Sequence, residues 1–292
     1  MIERLRPECI SCLLKSHLEK YPTDASPDEK LKYMQNVLKV AAEAKKSDSA
    51  PVLVNKINVI QREMFGYEED FAEKKLHYNR LMLEMEADIE QKIREAEDPL
   101  KLALQYAMTG NYIDFGTHND VTETELNALL NQATSNPVNN MEYQSLKKDL
   151  QDAENIVYIV DNCGEIVLDK LLIKEIRRQF PKARIIAMVR GGAVLNDATI
   201  EDAKQVGLTE MVRVIDNGNN IAGTCLEALS VGAAVALDGA DVILAKGQAN
   251  YETLRKCGRN IYYIFMCKCE MFAKGFGVPK FTGMLVNEKN CV

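Results

Sequence analysis

Apolar residues in the first 150 positions recur every three or four residues, the spacing of one buried face on an α-helix. Leu13, Leu14 and Leu18 follow Pro7, a residue suited to a first helical turn. Leu31, Met34, Val37, Leu38 and Ala41 repeat the spacing, and Val52, Val54, Ile57, Ile60 and Met64 continue it. A long stretch over 68–96 carries Leu76, Leu81, Leu83 and Met85, with no Pro or Gly to break it. Asp98-Pro99 punctuates the chain, a further helix is expected over 102–108, and Thr122-Glu123-Thr124-Glu125 suits one more helix start. No run in this part reads as a strand.

Beyond residue 150 the period changes. Five short apolar runs rich in Val, Ile and Tyr stand at 156–160, 185–189, 212–215, 242–245 and 261–266. Helix-patterned segments at 165–180, 199–206, 224–236 and 251–256 separate them. Strands that are apolar throughout and alternate with helices predict a parallel sheet covered on both faces. The expected architecture is an all-α helical domain over 1–150. A Rossmann-like, doubly wound three-layer α/β/α domain with a mostly parallel sheet follows over 151–292.

Two domains suit a chain of 292 residues. With 47% hydrophobic and 27% charged residues the composition is that of a globular protein. Thirty-six Lys and Arg against 43 Asp and Glu give a net charge of −7, which argues against general binding to nucleic acid or anionic membranes. Eight cysteines are too few for a disulfide scaffold and suit a reducing compartment. Residues 1–8 lack the apolar run of a signal peptide, and no stretch has the length of a membrane span. A soluble, cytoplasmic protein is expected, with its oligomeric state open.

In an open parallel sheet, ligands bind beyond the carboxyl ends of the strands. The first run ends in Asp161-Asn162-Cys163-Gly164-Glu165 and the second in Arg190-Gly191-Gly192, with Asn196-Asp197 beyond. The third ends in Asp216-Asn217-Gly218, the fourth in Lys246-Gly247-Gln248 with Asn250 beyond, and the fifth in Cys267-Lys268-Cys269. Asp161, Asn162, Asp197 and Asp216 offer hard oxygens suited to Mg²⁺ or Mn²⁺. Arg190 and Lys246 offer cations suited to a phosphate. Turns also favour Asp, Asn and Gly, but the joint concentration points to phosphoryl chemistry.

Other chemistries lack their motifs. No G-x-G-x-x-G follows the first run, and no G-x-x-x-x-G-K-[ST] occurs. No Cys is followed six positions later by Arg. The only histidines, His17, His77 and His118, lie away from the strand ends, which argues against a phosphohistidine mechanism. The D-x-D of aspartyl-nucleophile phosphatases is interrupted by Cys163.

Asp161 to Glu165 reproduces a D-N-x-G-E motif, Asp197 lies within Asn196-Asp197-Ala198-Thr199, and Lys246-Gly247-Gln248-Ala249-Asn250-Tyr251 reproduces K-G-x-x-N-Y. Gly110-Asn111-Tyr112-Ile113-Asp114-Phe115-Gly116 reproduces G-N-x-I-D-F-G. In this order the motifs resemble the damage-control phosphatase family, long called domain of unknown function 89, over nearly the whole chain. Cys9-Ile10-Ser11-Cys12 resembles its cysteine-bearing microbial branch, and the R-T-x-K motif of some eukaryotic members is not visible.

The resemblance implies a phosphatase for small phosphorylated metabolites that uses Mg²⁺, Mn²⁺, Co²⁺ or Ni²⁺, with Asp161, Asn162 and Asp197 as metal ligands. Asp161, Glu165 and Asp197 are the candidate catalytic carboxylates: a water could attack with a carboxylate as base, or Asp161 could attack directly. Arg190, Asn196, Lys246, Asn250, Asn111 and Asp114 are the candidate phosphate and substrate contacts. Plainer readings stand beside these: Glu165 as a helix-dipole partner, Asn250 as a helix cap, Asn111 and Asp114 as a turn after Gly110, and Asp216-Asn217-Gly218 as a turn extended by Asn219-Asn220, although the backbone amides before Thr224 could also meet an anion.

Cys9-x-x-Cys12 is half a zinc site by spacing, which Cys267 and Cys269 would complete if the chain ends meet. The plainer reading is a pair of helix cysteines with Cys12 buried, and Cys163 is expected to be a small packing residue. Two other functions remain at this stage: an S-adenosylmethionine-dependent carboxyl methyltransferase, and a non-catalytic protein that binds a phosphometabolite or a metal.

Overall fold

Local signals set most helix ends. Pro7, Pro27, Pro51 and Pro99 lie in first turns, where the missing N–H costs nothing. Ser26 and Glu29 form a reciprocal capping box, Asp98 accepts from the Lys101 amide, and Thr199 and Asp202 form a second box. The computed structural model describes residues 4–18, 20–66, 70–113 and 123–292. Asp114, His118 and Thr122, singled out above, lie outside the described residues.

Seven helices among the described residues precede the first strand: α1 (Pro7–His17), α2 (Pro27–Glu43), α3 (Ala50–Phe65), α4 (Ala72–Glu95), α5 (Pro99–Gly110), α6 (Glu123–Asn131) and α7 (Asn140–Asp152). Strands and helices then alternate: β1 (Asn155–Ile159), α8 (Glu165–Gln179), β2 (Arg184–Val189), α9 (Ile200–Gln205), β3 (Arg213–Asp216), α10 (Val231–Asp238), β4 (Val242–Lys246), α11 (Gln248–Leu254), β5 (Ile261–Cys267), α12 (Glu270–Phe276) and β6 (Thr282–Asn287). No helix among the described residues is long and apolar enough to cross a membrane.

The sheet order is β3-β2-β1-β4-β5-β6. The first five strands are mutually parallel, and β6 runs antiparallel to β5. The chain therefore builds outward from β1 to β3, then returns to place β4 on the other side of β1. That reversal opens a crevice at the carboxyl ends of β1 and β4. Ile159 pairs with Met188 of β2 and with Ala245 of β4, so those three strand ends are level.

Alternate residues of β1 feed two cores. Ile156, Tyr158 and Val160 face α8, α9 and the helices α4 to α7, while Val157 and Ile159 face α10, α11 and α12. Helices α1 to α3 close a smaller core around Leu13, Tyr33, Val37, Leu53 and Ile57. Helix α5 is buried along most of its length because α8 and the sheet enclose it. A Cβ at Gly110 would stand 2.8 Å from Leu168 Cδ1 and 3.3 Å from Glu165 Cγ, so glycine permits this approach to α8.

The segment over 224–236, strand β6 and the unanticipated helix α12 depart from the sequence reading. The expected helix over 224–236 is a short 3₁₀ turn, Leu226–Ala228, followed by α10. Thr224 is tied to Thr253 and Asn250, and Ser230 caps α10, so the helix starts late. Strand β6 carries Gly283 and only three consecutive apolar residues, too weak a pattern to read, and it gains its ladder from β5.

His17 is fully buried in the small core, with Nδ1 2.8 Å from the Tyr33 hydroxyl and no partner for Nε2 among the described residues. Burial, helped by Lys20, lowers its pKa to about 4. Between pH 6.5 and 4 the unfolded chain binds the proton and the folded chain does not, so stability falls as pH falls. From pH 7 to pH 5 this costs about 2 kcal/mol. Urea unfolding should show that the wild-type protein loses this much more stability over the interval than His17→Gln does.

Candidate active site

The first turn beyond β1 is stitched to the segment beyond β2. The Ala198 amide donates to the Asp161 carbonyl at 2.7 Å, and the Cys163 amide donates to the Asn196 carbonyl at 2.8 Å. Asn162 and Asp197 face each other as a bridge pair, as do Arg190 and Thr199. These backbone bonds bring Asp161, Asn162, Arg190 and Asp197, expected to share one mouth, into a single buried group.

Arg190 lies at its centre, 1% exposed. Its Nε donates to Asp197 Oδ2 at 2.6 Å and its Nη2 reaches Asp161 Oδ1 at 3.4 Å. Its Nη1 is buried and meets no acceptor among the described residues. A charged donor left in that state is costly unless a ligand oxygen meets it.

Lys246, the last residue of β4, is fully buried against Glu165. Its ammonium stands 2.5 Å from Glu165 Oε1 and 2.5 Å from Asp169 Oδ1, and all three side chains are fully buried. Asp169 also accepts from the Tyr158 hydroxyl at 2.8 Å. Burial pushes Asp169 up to about 7 against the pull of Lys246, and the neighbouring Glu165 charge adds to the rise. Burial alone would lower Lys246, but the Asp169 and Glu165 charges outweigh it and raise its pKa. Lys246 thus holds a proton firmly while orienting Glu165.

Glu165 is engaged on both oxygens. Its Oε2 accepts from Asn111 Nδ2 at 3.1 Å and Asn162 Nδ2 at 3.0 Å. The same two amides donate to Asp161 Oδ2 at 3.1 and 2.9 Å. Asn111, the residue that closes α5, receives the Met266 amide on its Oδ1 at 2.9 Å. The turn reading and the site reading of Asn111 therefore coincide in one residue. Gly247 follows Lys246 at φ +84°, and a Cβ there would overlap the Asp161 carboxylate.

The other expected contacts lie around this group. Asn196 is fully buried and donates to the Ile113 carbonyl at 3.2 Å. Asn250 does not open its helix: Gly247 precedes α11, and Asn250 is its third residue. Its Nδ2 bonds the Lys246 carbonyl at 2.6 Å and its Oδ1 receives the Thr224 hydroxyl at 2.7 Å, so it braces the loop after β3 against β4. Asp216-Asn217-Gly218 forms a turn, with the Gly218 amide on Asp216 and the Gly191 amide on Asn217. The Thr224 amide is taken by Thr253 Oγ1, and burial drives the Cys163 thiol well above its ordinary pKa.

The sequence reading missed Asp169 and Asn79. Asp169 stands four residues after Glu165, a spacing that puts two carboxylates on one helix face and was the available signal. Asn79 of α4 accepts the Gly164 amide at 2.7 Å, and only its burial in a helical layer reveals it.

Among the described residues no three His, Cys, Asp or Glu side chains converge to hold a metal. For zinc this counts against the expected site. Cys12 is exposed rather than buried, and although the chain ends bring Cys269 within electrostatic range of Cys9, Cys12 and Cys267, no three of these thiols converge to hold a metal among the described residues. At the strand ends the donor set is different in kind: two carboxylates and the Asn162 amide, all hard oxygen donors. That set fits an oxygen-seeking divalent cation.

Known proteins share this arrangement of chain. The damage-control phosphatase ARMT1-like domain matches residues 5–283. A damage-control phosphatase of Pyrococcus horikoshii is 30% identical, with 98% of each chain covered. A damage-control phosphatase of Archaeoglobus fulgidus is 32% identical over 94% of this chain and 96% of its own. The crystal structure of a DUF89 family protein from Pyrococcus horikoshii superposes with a TM-score of 0.81 at 27% identity, covering 99% of this chain and all of that one. Fold, motif order and these likenesses together make the chain a member of the damage-control phosphatase family.

Proposed function

We propose that this protein is a metal-dependent phosphatase that hydrolyses small phosphorylated metabolites in the mouth beyond β1, β2 and β4. The observation that carries the reading is Arg190, which joins Asp161 to Asp197 and keeps its buried Nη1 without an acceptor among the described residues. Asp161, Asn162 and Asp197 would hold a divalent cation such as Mg²⁺, Mn²⁺, Co²⁺ or Ni²⁺. A cation there supplies charge neutralisation at the phosphate and a more acidic water. Arg190 Nη1 donates to a phosphate oxygen and keeps the two carboxylates in register.

Glu165 acts by position, since donors occupy both of its oxygens. Lys246 fixes Glu165, and Asn111 holds Asp161 and Glu165 at one spacing. These groups are set before substrate arrives, which lowers the reorganisation required during reaction. All eight cysteines are free thiols, in keeping with work in a reducing compartment.

Phosphate release from para-nitrophenyl phosphate and a panel of sugar phosphates tests the reading. Chelated protein should be inactive and each divalent ion should be tried for recovery. Asp161→Asn and Asp197→Asn should lose about 100-fold or more in kcat while staying folded by circular dichroism. Full activity in both variants, or turnover indifferent to chelation, would refute the ligand set. Labelled S-adenosylmethionine should transfer no methyl group to carboxyl acceptors.

Gly247→Ala gives a separate test. The added methyl meets the Asp161 carboxylate in a backbone conformation that disfavours alanine. Expected is a stability cost of about 1–3 kcal/mol and a loss of activity much larger than that cost implies. Thermal melts and kcat measured on the same preparation separate the two effects.

A further inference from the structure

The opposite end of the sheet carries an open cavity of about 1020 Å³ that the phosphatase reading does not use. It lies at the amino ends of β1, β2 and β3, where Asn155, Arg184 and Arg213 begin the strands, and α10 closes one side. Its wall is apolar, with Ile186, Val212 and Val235 among the lining residues, and Val235 is 65% exposed.

Basic side chains surround this wall. Lys174 is paired with Glu90 at 2.7 Å and Arg178 with Glu175 at 2.7 Å. Arg177, Arg184 and Arg213 are exposed, and their side chains make no hydrogen bond or ion pair with any described residue. They come from three elements, the end of α8 and the starts of β2 and β3, yet line one concavity. In a chain of net charge −7, three guanidiniums without carboxylate partners among the described residues, beside apolar surface, form a local site for anions.

We propose that this cavity binds a nucleoside polyphosphate. The shared chemistry is a polyphosphate joined to a flat apolar group: guanidinium forks take phosphate oxygens in pairs, and the apolar wall takes the ring. The dimensions favour a small ligand over a peptide. Neighbouring strands lie ~4.8 Å apart, so the starts of β1 to β3 span about 10 Å, the scale of a single nucleotide. The site is separate from the phosphatase mouth, since β1 carries the chain roughly 20 Å from Asn155 to Asp161 at ~3.3 Å per residue.

Titration calorimetry on the full chain with β,γ-imido ATP, in chelator to suppress metal-dependent turnover, tests the proposal. The wild-type protein should bind saturably with Kd below about 1 mM. The triple variant Arg177→Ala, Arg184→Ala, Arg213→Ala should bind at least tenfold more weakly, with an unchanged melting temperature and unchanged metal-dependent phosphate release. Adenosine alone and pyrophosphate alone should each bind at least tenfold more weakly than the imido nucleotide. Absence of saturable binding by wild type, a loss below tenfold in the triple variant, or equal binding of pyrophosphate alone would overturn the assignment. Because binding is read without turnover, this outcome is independent of whether the phosphatase reading stands.

Discussion

A buried guanidinium needs its charge compensated, and Arg190 meets two carboxylates that come from different strand ends. That requirement links the turn after β1 to the segment after β2. The bridge pairs Asn162–Asp197 and Arg190–Thr199 supply the backbone register that makes the meeting possible. Removing either carboxylate would leave charge buried without its partner, so the same contact that shapes the mouth also constrains the fold around it. The topological switch between β1 and β4 provides the crevice, and Arg190 fixes what faces into it.

A second charged group lies behind the first. Lys246, Glu165, Asp169 and Tyr158 form a dry network in which each polar end finds a partner, with Asp169 Oδ2 the exception among described contacts. Asn111 joins this network to Asp161 from the helical layer, and Gly110 lets α5 come close enough for it to do so. The helical layer is therefore more than a cover over the sheet. One amide from it touches both carboxylates while its own oxygen is held by the Met266 backbone.

Much of this was legible in the chain. The five parallel strands announced themselves because strands buried on both faces are apolar throughout, and their ends pointed to Asp161, Arg190 and Asp197. Strand β6 was hidden because its support comes from pairing with β5 rather than from its own pattern. Asp169 was hidden inside a helix, where an acidic residue reads as solvent-facing until Lys246 is known to lie beneath it. Lys246 itself was read as a phosphate contact from its place at a strand end. In the structure it is paired with two carboxylates, since a lysine cut off from water needs opposite charge nearby.

Buried charge fixes the back of the mouth, so the features that shape its openings must come from less constrained segments. The loop after β3 is one such segment. Asn217 holds its turn, Thr224 ties its far end to Asn250, and Asn55 of α3 reaches the Asn220 carbonyl at 3.1 Å. That last contact connects the small core of α1 to α3 to the surroundings of the strand ends. Each of these bonds joins a side chain to backbone or to another side chain, whether buried, as between Thr224 and Asn250, or half-buried, as at Asn55. Such contacts leave no periodic trace in a sequence, whereas the charges at the strand ends are fixed by the sheet that carries them.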